Sequence, residues 1–238
     1  MNDARRDEIR SGLEAVRTRI ALACAEAGRS ADSVTLIVVT KFFPASDVRL
    51  LAELGVTDVG ENRHPEAAEK RAACTDLRLT WHFVGGLQSN KAAAIAQYVD
   101  AVHSVDRAKL LDPLGKGAHL GGRPLDCLVQ VSLEDPAEDL DAAGRSGVAP
   151  ADVGDLAHAV AAADGLRLRG VMAVAPLGAD PGPAFARLAE IAAEVRLVDP
   201  GATWVSAGMS DDLEAAVKWG ATHVRIGRAV LGERPLAG

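Results

Sequence analysis

Short apolar runs and amphipathic stretches alternate along this chain with a regular beat. From about Asp3 to Ala27, the residues Ile9, Leu13, Val16, Ile20 and Ala23 recur at helical spacing. They predict one leading helix within residues 1–28, broken by "AGRSADSV". Beyond it, apolar runs predict eight strands: Val34–Thr40, Asp58–Asn62, Trp81–Gly85, Ala101–Val105, Cys127–Leu133, Leu168–Val174, Thr203–Ala207 and His223–Gly227. Helical patterns such as "ASDVRLLAELG", "SNKAAAIAQYV" and "PAFARLAEIAAEVRLV" lie between them.

Strands that alternate with helices pair in parallel, because each helix returns the chain to the same end of the sheet. Eight is the number at which such a sheet closes, so the expected fold is α/β, a single (β/α)8 TIM barrel with an extra N-terminal helix, in one domain over residues 1–238. An open doubly wound sheet satisfies the same periodicity. Its dinucleotide-binding version lacks support, since no G-x-G-x-x-G follows the first strand. The loosest stretch, Glu134–Pro150, reads as a long loop after the fifth strand, and its acidic run as a solvated face.

Composition narrows the picture. Hydrophobic residues make up 48% of the 238 but aromatic residues only 3%, so the core is aliphatic and offers few stacking platforms for bases. The formal charge of −7 and the absence of a basic block argue against nucleic-acid binding. Cys24, Cys74 and Cys127 are widely spaced and odd in number, which fits reduced thiols in a cytoplasm. No signal peptide or membrane-length apolar run is read, so the expected location is cytoplasmic, with no membrane contact. The histidines show no metal-ligand spacing, and neither H-E-x-x-H nor G-x-S-x-G is present.

In a parallel α/β barrel, functional atoms gather at the C-terminal ends of the strands. The run "LIVVTKFFP" ends the first strand on Lys41, flanked by half of the chain's four phenylalanines. The amine is either an exposed strand end or an ammonium desolvated by Val38, Phe42 and Phe43, which would lower its pKa and free its lone pair for Schiff-base chemistry. Asn62 ends the second strand, Met172 lies late in the sixth, and Ser206 ends the seventh. In "SAGMSDD", Gly208 precedes Met209 and Ser210, and Ser210 is the expected N-cap of the next helix. "RIGRAVLG" places Gly227 at another helix start. Glycines and helix starts in these two loops together suggest an anion cradle. By alternation with Val224 and Ile226, Arg225 points inward and needs an acceptor, either a core carboxylate or a ligand atom. His82 reads as a satisfied core histidine.

"VVTK", "GENRHPE", "WHFVGGLQSNK", "LRGVMAV", "SAGMSDDLEAAV" and "VRIG" occur in this order over nearly the whole chain. Together they resemble the YggS/PROSC family of pyridoxal-phosphate homeostasis proteins, whose barrel is similar to the N-terminal domain of alanine racemase. The resemblance implies that pyridoxal 5′-phosphate (PLP) is held as a lysine aldimine at Lys41, with Arg225 at the pyridine nitrogen. Ser206, Gly208, Met209, Ser210, Gly227 and Arg228 would surround the phosphate, Asn62 would lie near the ring, and Met172 is also expected to be a cofactor-binding residue. It implies storage, buffering or delivery of PLP without turnover, by a monomer or weak dimer, with PLP-dependent apo-enzymes as recipients.

A racemase would need a second acid/base from a further domain, which is expected to be missing here, and the single tyrosine, Tyr98, lies on a predicted helix. An amino-acid racemase of the same fold and a non-covalent binder of another phosphorylated metabolite remain the alternatives. The chain departs from the family pattern at Phe43, where a second lysine is common, at Arg63-His64-Pro65, and at Arg228, where a small hydroxyl residue is common.

Overall fold

The apolar stripe at the N-terminus forms a long helix, α1 (Asn2–Glu26), with Ile9, Leu13, Val16, Ile20 and Ala23 all buried. The computed structural model describes residues 2–134 and 147–233; residues 135–146 of the loop expected over Glu134–Pro150 lie outside the described residues. After α1 come β1 (Thr35–Val39), α2 (Ala45–Glu53), β2 (Asp58–Glu61), α3 (His64–Ala73), β3 (Thr80–Phe83) and α4 (Ser89–Ala96). The middle of the chain forms β4 (Ala101–Val105), α5 (Leu111–Leu120), β5 (Leu125–Gln130), α6 (Val153–Ala162), β6 (Leu166–Met172) and α7 (Pro181–Val198). It ends in β7 (Trp204–Ser206), α8 (Leu213–Lys218), β8 (His223–Ile226) and α9 (Arg228–Leu231).

The eight strands pair in sequence order, all in parallel, and β8 returns to β1 to close the barrel. The open sheet is therefore excluded. Helices surround the barrel, and α1 packs against α8 and α9 across the closing seam. A Cβ on Gly12 would lie 2.5 Å from the Val230 carbonyl oxygen, so glycine is what lets α1 approach α9. Aliphatic side chains fill the layer between barrel and helices, with Trp81, Phe83 and Phe185 the largest buried groups. All three cysteines are free and buried. Among the described residues no helix is long and apolar enough to cross a membrane.

Two strands begin two residues earlier than their apolar runs predict. β5 covers Leu125–Gln130 rather than Cys127–Leu133, and β6 covers Leu166–Met172 rather than Leu168–Val174. The two pair with each other from Leu125↔Leu166 onward, so the shift is common to both. Val131 leaves the barrel to bridge Val148, while Val174 emerges at the strand ends.

The barrel interior is polar along one line. His82 on β3, His103 on β4 and Ser206 on β7 are buried, and the His103 Nδ1–Ser206 Oγ contact of 2.9 Å joins strands that are not neighbours in the sheet. This bond therefore crosses the interior. Burial, reinforced by neighbouring positive charge, holds the His103 imidazole well below the usual histidine range. His223 is pushed down to about 3, chiefly by burial and then by His82. Both rings are thus neutral in the folded protein at pH 7, whereas the unfolded chain protonates them below about 6.5.

The unfolded state consequently binds more protons as pH falls below 6.5, and stability drops by about 1.4 kcal/mol per histidine per pH unit until the folded-state values are reached. Burial also raises the Glu61 carboxyl, despite the opposing pull of Lys70, and this group works in the opposite sense as it takes up its proton. Urea unfolding is expected to give a stability roughly 2–3 kcal/mol lower at pH 5.5 than at pH 7.5. His223→Asn should remove about half of that difference.

Candidate functional site

The C-terminal ends of the strands surround a cavity of about 710 Å³, within the size range of small-ligand sites. Lys41, Asn62, Met172, Met209, Ser210, Arg225, Gly227 and Arg228 all line it. Ser206 and Gly208 do not. Ser206 lies below the cavity floor, with its hydroxyl engaged by Arg225 and His103. Gly208 has a φ of +94°, and a Cβ there would meet the Ala216 Cβ at 2.7 Å, so this glycine serves the packing of α8. His82, as expected, is a core histidine with both ring nitrogens partnered.

Lys41 sits just beyond β1 and is partly buried. Of the apolar residues beside it in sequence, Val39 and Phe43 line the cavity, whereas Val38 and Phe42 do not. Alternation along β1 turns Val38 into the layer beneath the helices. Phe42 adopts a φ of +71°, unusual for a bulky residue, and is half-exposed with the Arg63 guanidinium 5.3 Å from its ring centre.

A buried charge cluster behind the strand holds this turn. Lys70 Nζ on α3 donates to the Thr40 carbonyl oxygen and to Glu61 Oε1, both at 2.6 Å, and pairs with Glu66 Oε1 at 2.7 Å. Thr40 Oγ1 also donates to Glu61 Oε1, and the Phe42 N–H donates to Glu66 Oε1. The residues on both sides of Lys41 are therefore tied through backbone atoms to one ion cluster. Glu66 and Lys70 stand four apart on a helix, which in sequence reads as an ordinary surface pair.

Arg225 is buried at the cavity floor, where Nη1 donates to Ser206 Oγ at 2.8 Å and Nη2 to the Ala173 carbonyl oxygen at 3.0 Å. Among the described residues it forms no ion pair, so a core carboxylate is not its partner. Burial lowers its pKa to about 10, which still leaves it protonated at neutral pH. Asn62 brings an uncommitted polar atom, since its Oδ1 is buried on the cavity wall without a partner among the described residues. A Cβ on Gly85 would fall 2.5 Å from the Asn62 Cβ, so only glycine fits beside it.

In the loops after β7 and β8 the details differ from expectation. Helix α8 starts at Leu213 with Asp212, not Ser210, as its N-cap residue, and Asp212 Oδ1 accepts the Met209 N–H at 2.6 Å. That N–H is already used inside the protein. Arg228 and Ala229 lie in the first turn of α9, where backbone N–H groups have no intrahelical acceptor, and Gly227 precedes them as N-cap.

Sequence reasoning also missed Arg19, which reaches the cavity from α1. Its guanidinium bonds both Glu214 carboxylate oxygens and the Ser210 carbonyl oxygen. Nothing local distinguishes it from other charged positions on that helix. Phe43 is buried on the cavity wall with Arg5 over its ring, so the departure from the family pattern is accommodated by packing. Tyr98 lies away from the cavity lining and bonds His64. Among the described residues no cluster of metal-ligating side chains occurs.

The profile of the alanine racemase N-terminal domain family matches residues 12–235. A pyridoxal phosphate homeostasis protein of Pseudomonas aeruginosa is 42% identical, with 95% of this chain and 96% of that protein covered. One of Mycobacterium bovis is 40% identical over 98% of this chain and 95% of that protein. The structure of PipY from Synechococcus elongatus, solved with PLP bound, superposes with a TM-score of 0.80 at 34% identity, covering 94% of this chain and all of PipY. With the strand-end cavity, the ordered motifs and these likenesses in agreement, the chain belongs to the pyridoxal phosphate homeostasis protein family.

Proposed function

We propose that this protein binds PLP through Lys41 and holds it for storage, buffering or delivery to apo-enzymes, without turnover of its own. The observation that carries this reading is the convergence on one cavity of Lys41, a buried Asn62 amide oxygen and an arginine, the last two without a hydrogen-bond partner and a carboxylate partner, respectively, among the described residues. PLP would supply an aldehyde that condenses with an amine, a pyridine nitrogen and a phosphate. Lys41 is the amine at hand, held by the Lys70 cluster. Arg225 is the donor that would meet the nitrogen, and Met172 would line the ring's place. Arg19, Arg228 and the first-turn N–H groups of α9 provide positive potential for the phosphate, beside Met209, Ser210 and Gly227.

Two physical features favour holding over catalysis. Arginine donates and does not give up its proton at neutral pH, so a contact with the ring nitrogen leaves that nitrogen unprotonated and weak as an electron sink. The chain's one tyrosine is bonded to His64, away from the cavity, and is not placed to serve as a second acid/base.

Mixing the purified protein with PLP is expected to produce a visible absorption band, with borohydride fixing the adduct on the Lys41 peptide. Lys41→Ala should abolish both, and D- or L-amino acids should not be racemised. An adduct scattered over surface lysines, or sustained racemisation, would defeat the reading. Lys70→Met leaves Glu61 buried without its cation and is expected to cost roughly 3 kcal/mol in urea unfolding. Under conditions where it is folded, it should also show less trapped adduct at Lys41 than the parent at the same PLP concentration.

A further inference from the structure

A hydrogen-bonded chain runs the length of the barrel interior beneath the cavity. Asp58 Oδ1 at the start of β2 meets His82 Nε2 at 2.9 Å, His82 Nδ1 meets His103 Nε2 at 2.9 Å, and His103 Nδ1 meets Ser206 Oγ at 2.9 Å. Ser206 Oγ then accepts from Arg225 Nη1 at 2.8 Å. We propose that Asp58, at the far end of the barrel, is a positioning residue for Arg225, and that it acts by fixing the direction of the hydrogen bonds from His82 to Ser206. The consequence for PLP rests on the function proposed above; the direction of the chain does not.

The ends determine the middle. An ionised carboxylate only accepts, so His82 must carry a proton on Nε2. If His82 is neutral, its Nδ1 is bare and must accept from His103 Nε2–H. A neutral His103 then has a bare Nδ1, which must accept from the Ser206 hydroxyl. Ser206 is left with lone pairs facing Arg225, and a guanidinium only donates. With both imidazoles neutral, an acceptor-only group at one end and a donor-only group at the other thus allow one arrangement without a clash of protons.

The surroundings agree with it. Thr57 Oγ1 donates to Asp58 Oδ2, which leaves Oδ1 for His82. Against the upward pull of burial, the bonds from His82 and Thr57 hold the Asp58 carboxyl below its usual range, and His103 is kept neutral chiefly by burial. The competing state is an imidazolium at His82, which would reverse the chain from that point and put the His103 proton on Nδ1.

For Arg225 the outcome is orientation. Nη1 is held by Ser206 and Nη2 by Ala173, so the plane of the guanidinium is set before any ligand arrives. Such pre-orientation lowers the cost of binding. If Asp58 is lost, His82 can place its proton on either nitrogen, and the ambiguity propagates to Ser206. Sequence reading assigned Ser206 to the phosphate; its bonds make it the last link to the arginine.

The test uses the full chain labelled with nitrogen-15, first without PLP. Long-range proton–nitrogen spectra are expected to show His82 and His103 neutral, both protonated at Nε2, with resolved Arg225 Nη signals that report blocked rotation. Asp58→Asn keeps an acceptor in place and should preserve this pattern. Asp58→Ala should mix the His103 tautomers and collapse the Arg225 Nη signals. Ser206→Ala, which cuts the chain next to the arginine and far from Asp58, should free Arg225 while His82 stays protonated at Nε2.

With PLP, Asp58→Ala should weaken binding at least tenfold by the visible band, and Asp58→Asn less than threefold. A wild-type His103 protonated at Nδ1 would overturn the proposal. So would an Asp58→Ala protein with unchanged histidine and arginine signals. If the wild type bound no PLP, the function proposed above would fail, and the spectra without PLP would still decide the role of Asp58.

Discussion

The pairing of β8 with β1 is the constraint on which the rest of the structure depends. Lys41 follows β1 and Arg225 lies on β8, far apart in the chain, and they share a cavity because Ile37 registers with Arg225 across the closing seam. Without that closure there is no common floor, and Gly227 would not stand against β1, where a Cβ on it would lie 3.2 Å from the Val39 carbonyl oxygen. The leading helix reinforces the same seam. Its contact with α9 depends on Gly12, and its Arg19 ties the loop at Ser210 to α8 through Glu214. An N-terminal segment outside the eightfold repeat therefore helps hold the site's loops.

Two buried polar systems lie on opposite sides of the barrel wall and meet near the cavity. Outside the wall, Lys70 joins Glu61, Glu66 and the backbone on both sides of Lys41. Inside it, the histidine chain ends at Arg225. Buried ions and unpaired polar groups are costly, and aliphatic packing would stabilise the fold without them. Their presence next to the two residues with the most chemistry places that cost where side-chain position matters. One Glu61 oxygen lacks a partner among the described residues, and burial raises the same carboxyl's pKa, so part of that cost falls on Glu61.

The fold was legible because its signals are repeated. Eight apolar runs with intervening helical patterns leave few arrangements, and the buried face of α1 could be read residue by residue. What could not be read is pairing. β5 and β6 start two residues early because Leu125 and Leu166 find each other, which neither run announces alone. Ser210 of "SAGMSDD" satisfies the rule for an N-cap, yet the helix starts three residues after it at Leu213, with Asp212 turning back to the Met209 N–H. The most chemical residues, Lys41, Asn62 and Arg225, were visible from their places at strand ends. Arg19, Lys70 and the link from Ser206 to His103 were not, because each acts through a partner distant in sequence.

The same geometry bears on how a cofactor could be held and then released. Several polar groups that reach the cavity already have partners within the protein: Arg225 has Ser206 and Ala173, Arg19 has Glu214 and Ser210, and the Met209 N–H has Asp212. A ligand leaving such a site does not strand these groups, so release carries a small desolvation penalty on the protein's side. The Asn62 oxygen differs, a buried acceptor without a partner among the described residues. A site built this way orients what it binds without depending on it for integrity. That property suits a protein whose role is to hold a reactive aldehyde and yield it again, more than an enzyme that would keep its cofactor through many turnovers.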